Sequence, residues 1–308
     1  MNRVLVCLSD YPRDLLEGWV EGTGTEVVTV PAGADLAAML PDLARADLVI
    51  GDAARRFPLT GEVLAQMARC RLVFHPAVGL DGVIDLDAAR ERGIEVRSAP
   101  GYNADAVADW AVMAMLLGLR QAVAADRDMR TQGWHGRELG RELGAVTVGI
   151  VGYGAIGRAV RRRLAGFGTT VLVTDERELT DPDVEQTSLD DLLQRSDVVT
   201  LHAPLLPSTQ HMIGADRLAR MREHSVLVNA ARGGLVDETA LASALAKGRP
   251  AVAVLDVFET EPLPAESPLY GLENVVLSPH VAAGTQQARQ RVRAMVGDAV
   301  REFLRSGP

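Results

Sequence analysis

The stretch VGIVGYGAIG, residues 148–157, constrains this chain more than any other. Gly152, Gly154 and Gly157 stand in G-x-G-x-x-G spacing, behind an apolar run and ahead of the helical pattern AIGRAVRRRLAGFG. A second apolar run, TVLVT, follows and leads into Asp175, 23 residues beyond Gly152 (175 − 152). Three glycines alone are a weak signal, whereas a complete strand–helix–strand unit closed by an acidic residue is specific. Each position has a physical reason. Gly152 permits a tight turn, Gly154 removes a Cβ from the path of a pyrophosphate, and Gly157 lets the helix close on the sheet. The helix start then offers unpaired N–H groups, near Ala155 and Ile156, to phosphate oxygens. Asp175 would accept hydrogen bonds from ribose hydroxyls and repel a 2′-phosphate, which favours NAD over NADP. Arg177, two residues on, keeps NADP admissible.

The same alternation runs through the whole chain. Strand patterns RVLVCLS, EVVTV, ADLVIG, RLVFH and IEVRS alternate with helix-like stretches such as PDLARA, TGEVLAQMAR and DLDAARERG. It restarts with VTVGIV, TVLVT, DVVTL, SVLVN, AVAVLDVF and NVVLSPH. Continuous apolar strands fit parallel sheets buried on both faces, so the fold class expected is α/β, with two Rossmann-like, doubly wound parallel-sheet domains. Only 4% of residues are aromatic, so the cores must rest on Val, Leu, Ile and Ala. A net charge of −9 without a basic block argues against nucleic acid as a partner. Cys7 and Cys70 lack a CxxC or metal-like neighbour and read as buried free thiols; no histidine pair has metal-ligand spacing, so no metal is expected. The apolar run at the N-terminus is too short for a signal peptide, and no stretch reads as a membrane span, so a cytoplasmic location is expected.

One long helix is predicted over Ala104–Thr131, capped by Asn103 or Asp105. Its first half is apolar nearly all round, through Val107, Trp110, Val112, Met113, Met115, Leu116, Leu117 and Leu119. Such a helix should be covered on every side, which points to a subunit interface. A last helix is predicted over residues 285–306.

Three further residues each directly follow a strand of the second half: Arg232 in NAARGGLVDE, Glu261 in FETEP and His280 in SPHVAAGT. Ligands of open α/β sheets bind at the carboxyl ends of strands, so all three face one edge. LDVFETEPLP holds three acids, Asp256, Glu259 and Glu261, of which Glu259 reads as the solvated one. His75 opens an apolar loop, whereas His135, His211 and His224 read as surface or loop residues.

With these residues in place, the chain resembles the D-2-hydroxyacid dehydrogenases. The matching stretches are VGLDGVIDLDAARERGIEV, AVADWAVMAMLLGLR, VGIVGYGAIGRAV, LHAPLLPSTQHMI, VLVNAARGGLVDETALASAL, VLDVFETEPLP and VVLSPHVAAGT, which run in the family's order from about residue 70 to 285. The resemblance implies that Arg232, Glu261 and His280 are catalytic and that NAD(H) exchanges a hydride with a D-2-hydroxyacid or 2-oxoacid. Negative charge develops on the oxygen of a reduced ketone, and an imidazolium can donate to it. A carboxylate beside the ring favours the charged form and orients it. An arginine fork suits a substrate carboxylate as a lysine cannot.

The resemblance further implies that backbone N–H groups of Val78 and Gly79 hold that carboxylate beside Arg232. The loop GDAARRFPLT would be the specificity wall, where Arg55 or Arg56 either meets a second acidic group or is solvated. Phe57, Tyr102 and Trp134 read as packing. Along the cofactor it places Val107, Ala230 and, at the nicotinamide amide, Asp256; His202, Ala203, Pro204 and Thr209 fall in the loop on the adenine side. It implies a discontinuous substrate domain, residues 1–99 with 285–308, and a dinucleotide domain, 100–284, with the active-site cleft between them. It also implies a homodimer through residues 104–143. Asp109 stands where the family more often has Glu, and Ser278 where TPH is usual. The chain end at Pro308 implies no regulatory C-terminal domain. Glu261 argues against formate and Val78 against phosphite as substrate. An alternative on the same fold is an NAD(H)-sensing, corepressor-like interaction protein.

Overall fold

The computed structural model describes residues 3–80, 82–134 and 139–306. They form two compact units, one from the chain up to Tyr102 together with the chain from Gln286 onward, the other from Asn103 to Thr285.

The first unit alternates β1 (Val4–Cys7), α1 (Arg13–Val20), β2 (Glu26–Thr29), α2 (Leu36–Arg45), β3 (Leu48–Ile50), α3 (Gly61–Gln66), β4 (Leu72–Phe74), α4 (Leu86–Glu91) and β5 (Glu95–Arg97). Its sheet is all parallel in the order β2-β1-β3-β4-β5, a doubly wound arrangement. Both faces of the strands are apolar. Val4 and Val6 pack with α2 and α3 through Met39, Leu43 and Leu64. Leu5 and Cys7 face Leu16 and Trp19 of α1 and Val296 and Val300 near the chain's end. Cys7 and Cys70 are buried free thiols, pushed up to about 12 by burial.

The second unit contains α5 (Ala104–Arg120), α6 (Ala122–Gln132), β6 (Thr147–Val151), α7 (Ala155–Leu164), β7 (Thr170–Thr174), β8 (Glu185–Gln186), α8 (Leu189–Arg195), β9 (Val198–Leu201), α9 (Ala215–Leu218), β10 (Val226–Asn229), α10 (Glu238–Leu245), β11 (Val252–Leu255) and β12 (Val275–Leu277). The sheet order is β12-β11-β10-β9-β6-β7-β8, all parallel, so the strand order reverses beside β6. Alternate residues again serve opposite faces. Val148, Val226 and Val254 pack under α5 and α7, while Val199, Leu227 and Ala253 pack under α8, α9 and α10. Helix starts follow local chemistry: Ser188 and Asp237 accept the N–H three residues on and cap α8 and α10. Helix α11 (Gln286–Arg305) belongs to the first unit, where Val292, Val296, Ala299, Val300 and Phe303 bury one stripe.

The predicted helix over Ala104–Thr131 is two helices. Gln121 adopts a left-handed conformation (φ 47°), its N–H returns to the Leu117 and Gly118 carbonyls, and α6 leaves at 54° to α5. The buried stripe of α5 ends at Leu119, and α6 leaves its own apolar side chains Val123 and Met129 about half exposed. Gly118 lets α5 lie directly on β10, because a Cβ there would stand 2.5 Å from Val226 Cγ1. Nor is α5 covered on every side within one chain, since Met113 is 45% exposed. The strand β8 has no hydrophobic signature, as both its residues are exposed and polar. No single described helix is long and apolar enough to cross a membrane.

Candidate active site

Strands β10, β11 and β12 are neighbours in register, with Asn229 opposite Leu255 and Leu255 opposite Leu277. The loops that leave their carboxyl ends therefore emerge side by side, and they carry Arg232, Glu261 and His280. The last two meet: His280 Nδ1 lies 2.7 Å from Glu261 Oε2. The Phe258 N–H donates to the other oxygen of Glu261, at 3.0 Å. His280 takes a left-handed backbone (φ 52°) and donates its N–H to the Asp256 carbonyl at 2.8 Å. The Asp256 carboxylate, wholly buried, accepts from Ser278 Oγ at 2.6 Å, Val281 N at 2.9 Å and Ala282 N at 2.8 Å. Those three bonds fix the loop that bears His280, and Ser278 supplies the hydroxyl that a threonine would. The turn of Arg232 packs on the Glu261 loop without a gap, since a Cβ on Gly233 would fall 1.9 Å from the Phe258 carbonyl carbon. Arg232 is half-buried, with Nη1 donating to the Ala231 carbonyl at 2.7 Å.

The chemistry follows from this geometry. With Nδ1 committed to Glu261, Nε2 is the ring atom left to exchange a proton. The His280 side chain is 44% exposed, so a ligand can reach it.

The turn after β6 fits a dinucleotide. Gly152 has φ 90°, and a Cβ there would lie 2.7 Å from Ala203 N, so the turns after β6 and β9 are in contact. A Cβ on Gly157 would stand 2.3 Å from the Gly152 carbonyl oxygen. Above Gly154 there is open space, which leaves the start of α7, with Ala155 and Ile156, accessible to a phosphate. Asp175 follows β7 on one side of this turn, and the Arg232, Glu261 and His280 loops lie on the other, at the far end of the sheet order. Between β7 and β10 lie three strand spacings, on the order of 15 Å, so the edge suits an extended ligand.

Asp175 is more occupied than its sequence position implies. Its carboxylate accepts from Tyr153 N at 2.7 Å, Arg177 N at 3.0 Å, Arg177 Nε at 2.9 Å and Arg177 Nη2 at 3.2 Å. The Arg177 guanidinium, followed by these backbone N–H groups, draws it down to about 2. A carboxylate has about four acceptor positions, so a ribose hydroxyl can bind only if Arg177 swings aside. Arg158 and Arg177 both donate to the Tyr153 carbonyl, at 2.9 and 3.5 Å, and border a cavity of about 250 Å³ with Asp181 on its rim.

In the loop after β9, His202 donates its N–H to the Val151 carbonyl at 2.7 Å and pairs its Nε2 with Thr200 Oγ1 at 3.0 Å. Burial lowers its ring to about 4, so it is neutral. Ala203 is half-buried and Pro204 exposed; Thr209 closes the loop by donating to the Pro204 carbonyl at 2.7 Å and accepting from Leu206 N at 2.7 Å. Val107 is buried on α5, and Ala230 is half-buried just beyond β10.

In the first unit, Val78 is 42% exposed in the segment after β4, with Gly79 half-buried beside it. Arg56 is held within its own unit, by Asp52 through Nε and Nη2 (both 3.1 Å) and by Asp10 at 3.0 Å. His75 is wholly buried, and burial, then the charge of Arg55, lowers it to about 4. Phe57 is buried as expected, but Trp134 is 92% exposed and does not pack. His135 lies outside the described residues. Glu259 is not a merely solvated acid: it accepts from Glu238 N at 2.9 Å and pairs with His211 Nε2 at 3.2 Å. No sequence pattern marks that contact, because its partners come from three separate loops.

Residues 112–282 match the family described as D-isomer specific 2-hydroxyacid dehydrogenase, NAD binding domain. The chain is 42% identical over 260 residues to a glyoxylate reductase of Korarchaeum cryptofilum, with 80% of this chain and 77% of that one covered. It is 42% identical over 248 residues to a D-3-phosphoglycerate dehydrogenase of Mycobacterium tuberculosis, 79% of this chain but only 47% of that protein. Among solved structures, a glyoxylate reductase from Paecilomyes thermophila superposes with a TM-score of 0.89 at 30% identity, covering 98% of this chain and 95% of that one.

Proposed function

The chain belongs to the D-isomer specific 2-hydroxyacid dehydrogenase family, and on that premise we propose that it moves a hydride between NAD(H) and a small D-2-hydroxyacid or its 2-oxoacid. The observation that carries this reading is the 2.7 Å contact between His280 Nδ1 and Glu261 on the sheet edge that also bears Arg232 and the glycine turn. When bound, the nicotinamide supplies or accepts the hydride at the substrate's C2. His280 Nε2 gives its proton to the oxygen that becomes the hydroxyl, or takes it back in the oxidising direction. Glu261 orients the ring and stabilises the imidazolium, and Arg232 takes the substrate carboxylate as a planar fork. We assign cofactor binding to the second unit, through Gly152, Gly154, Ala155, Ile156, Gly157, Asp175 and the residues after β9, β10 and β11. For the first unit we assign substrate selection to the segment of Val78 and Gly79. Arg56 shapes the loop rather than meeting a ligand, because Asp52 and Asp10 already claim it.

We further infer a cytoplasmic homodimer through residues 104–143. Met113, Val123, Met129, Trp134 and Leu139 stand 45–97% exposed in this one segment, a concentration of apolar surface that a partner would cover. The test of function is a panel of glyoxylate, hydroxypyruvate, pyruvate and bulkier 2-oxoacids with NADH and NADPH. Turnover of at least one with NADH is expected, and none with any would refute the assignment.

A further inference from the structure

Next to the Glu261–His280 pair stands a second set of carboxylates and an imidazole with no assigned role. Glu238, the first residue of α10, donates its N–H to Glu259 Oε1 at 2.9 Å, and Glu259 returns its own N–H to Glu238 Oε1 at 2.5 Å. The two acids thus clasp each other's backbones. His211 Nε2 lies 3.2 Å from the other Glu259 oxygen. The His211 N–H in turn donates to the Gly234 carbonyl at 2.8 Å, in the turn that carries Arg232. The loops after β9, β10 and β11 are therefore joined at Glu259, two residues from Glu261.

We propose that Glu238, Glu259 and His211 form a positioning assembly that holds the Glu261 loop against His280 and sets the pH at which His280 keeps its proton. This rests on the proton-transfer reading for its catalytic consequence, but the electrostatic coupling stands apart from it. The acids Glu238, Glu259 and Glu261 and the imidazoles His211 and His280 meet here, the turn that bears Arg232 abuts the Glu259 backbone, and buried Asp256 holds the His280 loop. The acids sense one another: burial and the charges of Glu259 and Glu261 push the Glu238 carboxyl up, against the pull of the Glu259 N–H. Each negative charge here favours the protonated ring of His280, so removing one should release that proton at lower pH.

Two substitutions separate position from charge. Glu259→Gln keeps a carbonyl oxygen for the Glu238 N–H but removes the charge; Glu259→Ala removes both. For Glu259→Gln, the His280 ring titration followed by NMR, and the alkaline limb of kcat/KM for 2-oxoacid reduction, should move down by about 0.3–1 pH unit. For Glu259→Ala, kcat should fall by about tenfold or more, with the Kd for NADH unchanged. A His280 midpoint that stays put in Glu259→Gln overturns the charge coupling, and wild-type kcat in a folded Glu259→Ala overturns the positioning. The NMR titration needs no turnover. An inactive wild type would sink the assigned reaction, while a shifted His280 midpoint would still uphold the coupling. If the alanine variant does not fold, the glutamine variant's titration alone decides.

Discussion

The proton-carrier role proposed for His280 rests on one ring nitrogen being engaged while the side chain stays open to a ligand. The Nδ1 contact with Glu261 at 2.7 Å fixes the ring, and its exposure leaves Nε2 within reach of a ligand. His280→Ala should lower kcat/KM by about 10²–10⁴-fold, the usual worth of a general acid–base group, while NADH binding measured by fluorescence stays nearly intact. At the opposite end of the edge, Arg177 holds the Asp175 carboxylate to which we assigned the ribose contact. Asp175→Ala should reduce the preference for NADH over NADPH by about tenfold or more, since charge-assisted hydrogen bonds to the ribose would be lost; an unaltered ratio of kcat/KM values refutes the contact. His75 makes a different kind of prediction. Its folded value of about 4 lies below the ordinary 6.5, so the unfolded chain binds the proton first as pH falls. Stability should therefore drop between pH 6.5 and 4, by roughly 3 kcal/mol from this residue. Urea unfolding of His75→Leu should show a flatter acid limb over that window.

Helices and strands were legible where their chemistry is repetitive, and obscure where it changes. The parallel strands declared themselves as apolar runs because helices cover both of their faces, as Val148 and Val199 illustrate on opposite sides. β8 gave no such signal, being a two-residue polar edge. The α5–α6 break has no sequence signal, because nothing in LGLRQAVAAD forbids a helix; it falls just after the last buried residue of α5, Leu119. Gln121 bears the conformational consequence, a left-handed backbone that costs an L-residue about 1–2 kcal/mol. Gln121→Gly should relieve part of this and raise unfolding stability by about 0.5–1 kcal/mol in urea titrations.

For the whole molecule, two doubly wound units share one construction, with sheets ordered β2-β1-β3-β4-β5 and β12-β11-β10-β9-β6-β7-β8. The apolar residues left exposed in 104–143 carry the dimer proposal. Light scattering should give twice the 32.9 kDa mass of one chain, and Met113→Asp with Met129→Asp should lower it toward one. By itself the sequence determined the fold class and the glycine turn with Asp175, because local periodicity and motif spacing are written along the chain; Arg232, Glu261 and His280 stood out only by their places after strands and by the family resemblance. Only the tertiary structure supplied the 2.7 Å contact between Glu261 and His280, and decided that Asp256 anchors the His280 loop, that Arg177 already fills Asp175, and that Glu259 joins three loops. Those contacts depend on which strands are neighbours and in what register, and the order of residues along the chain does not contain that information.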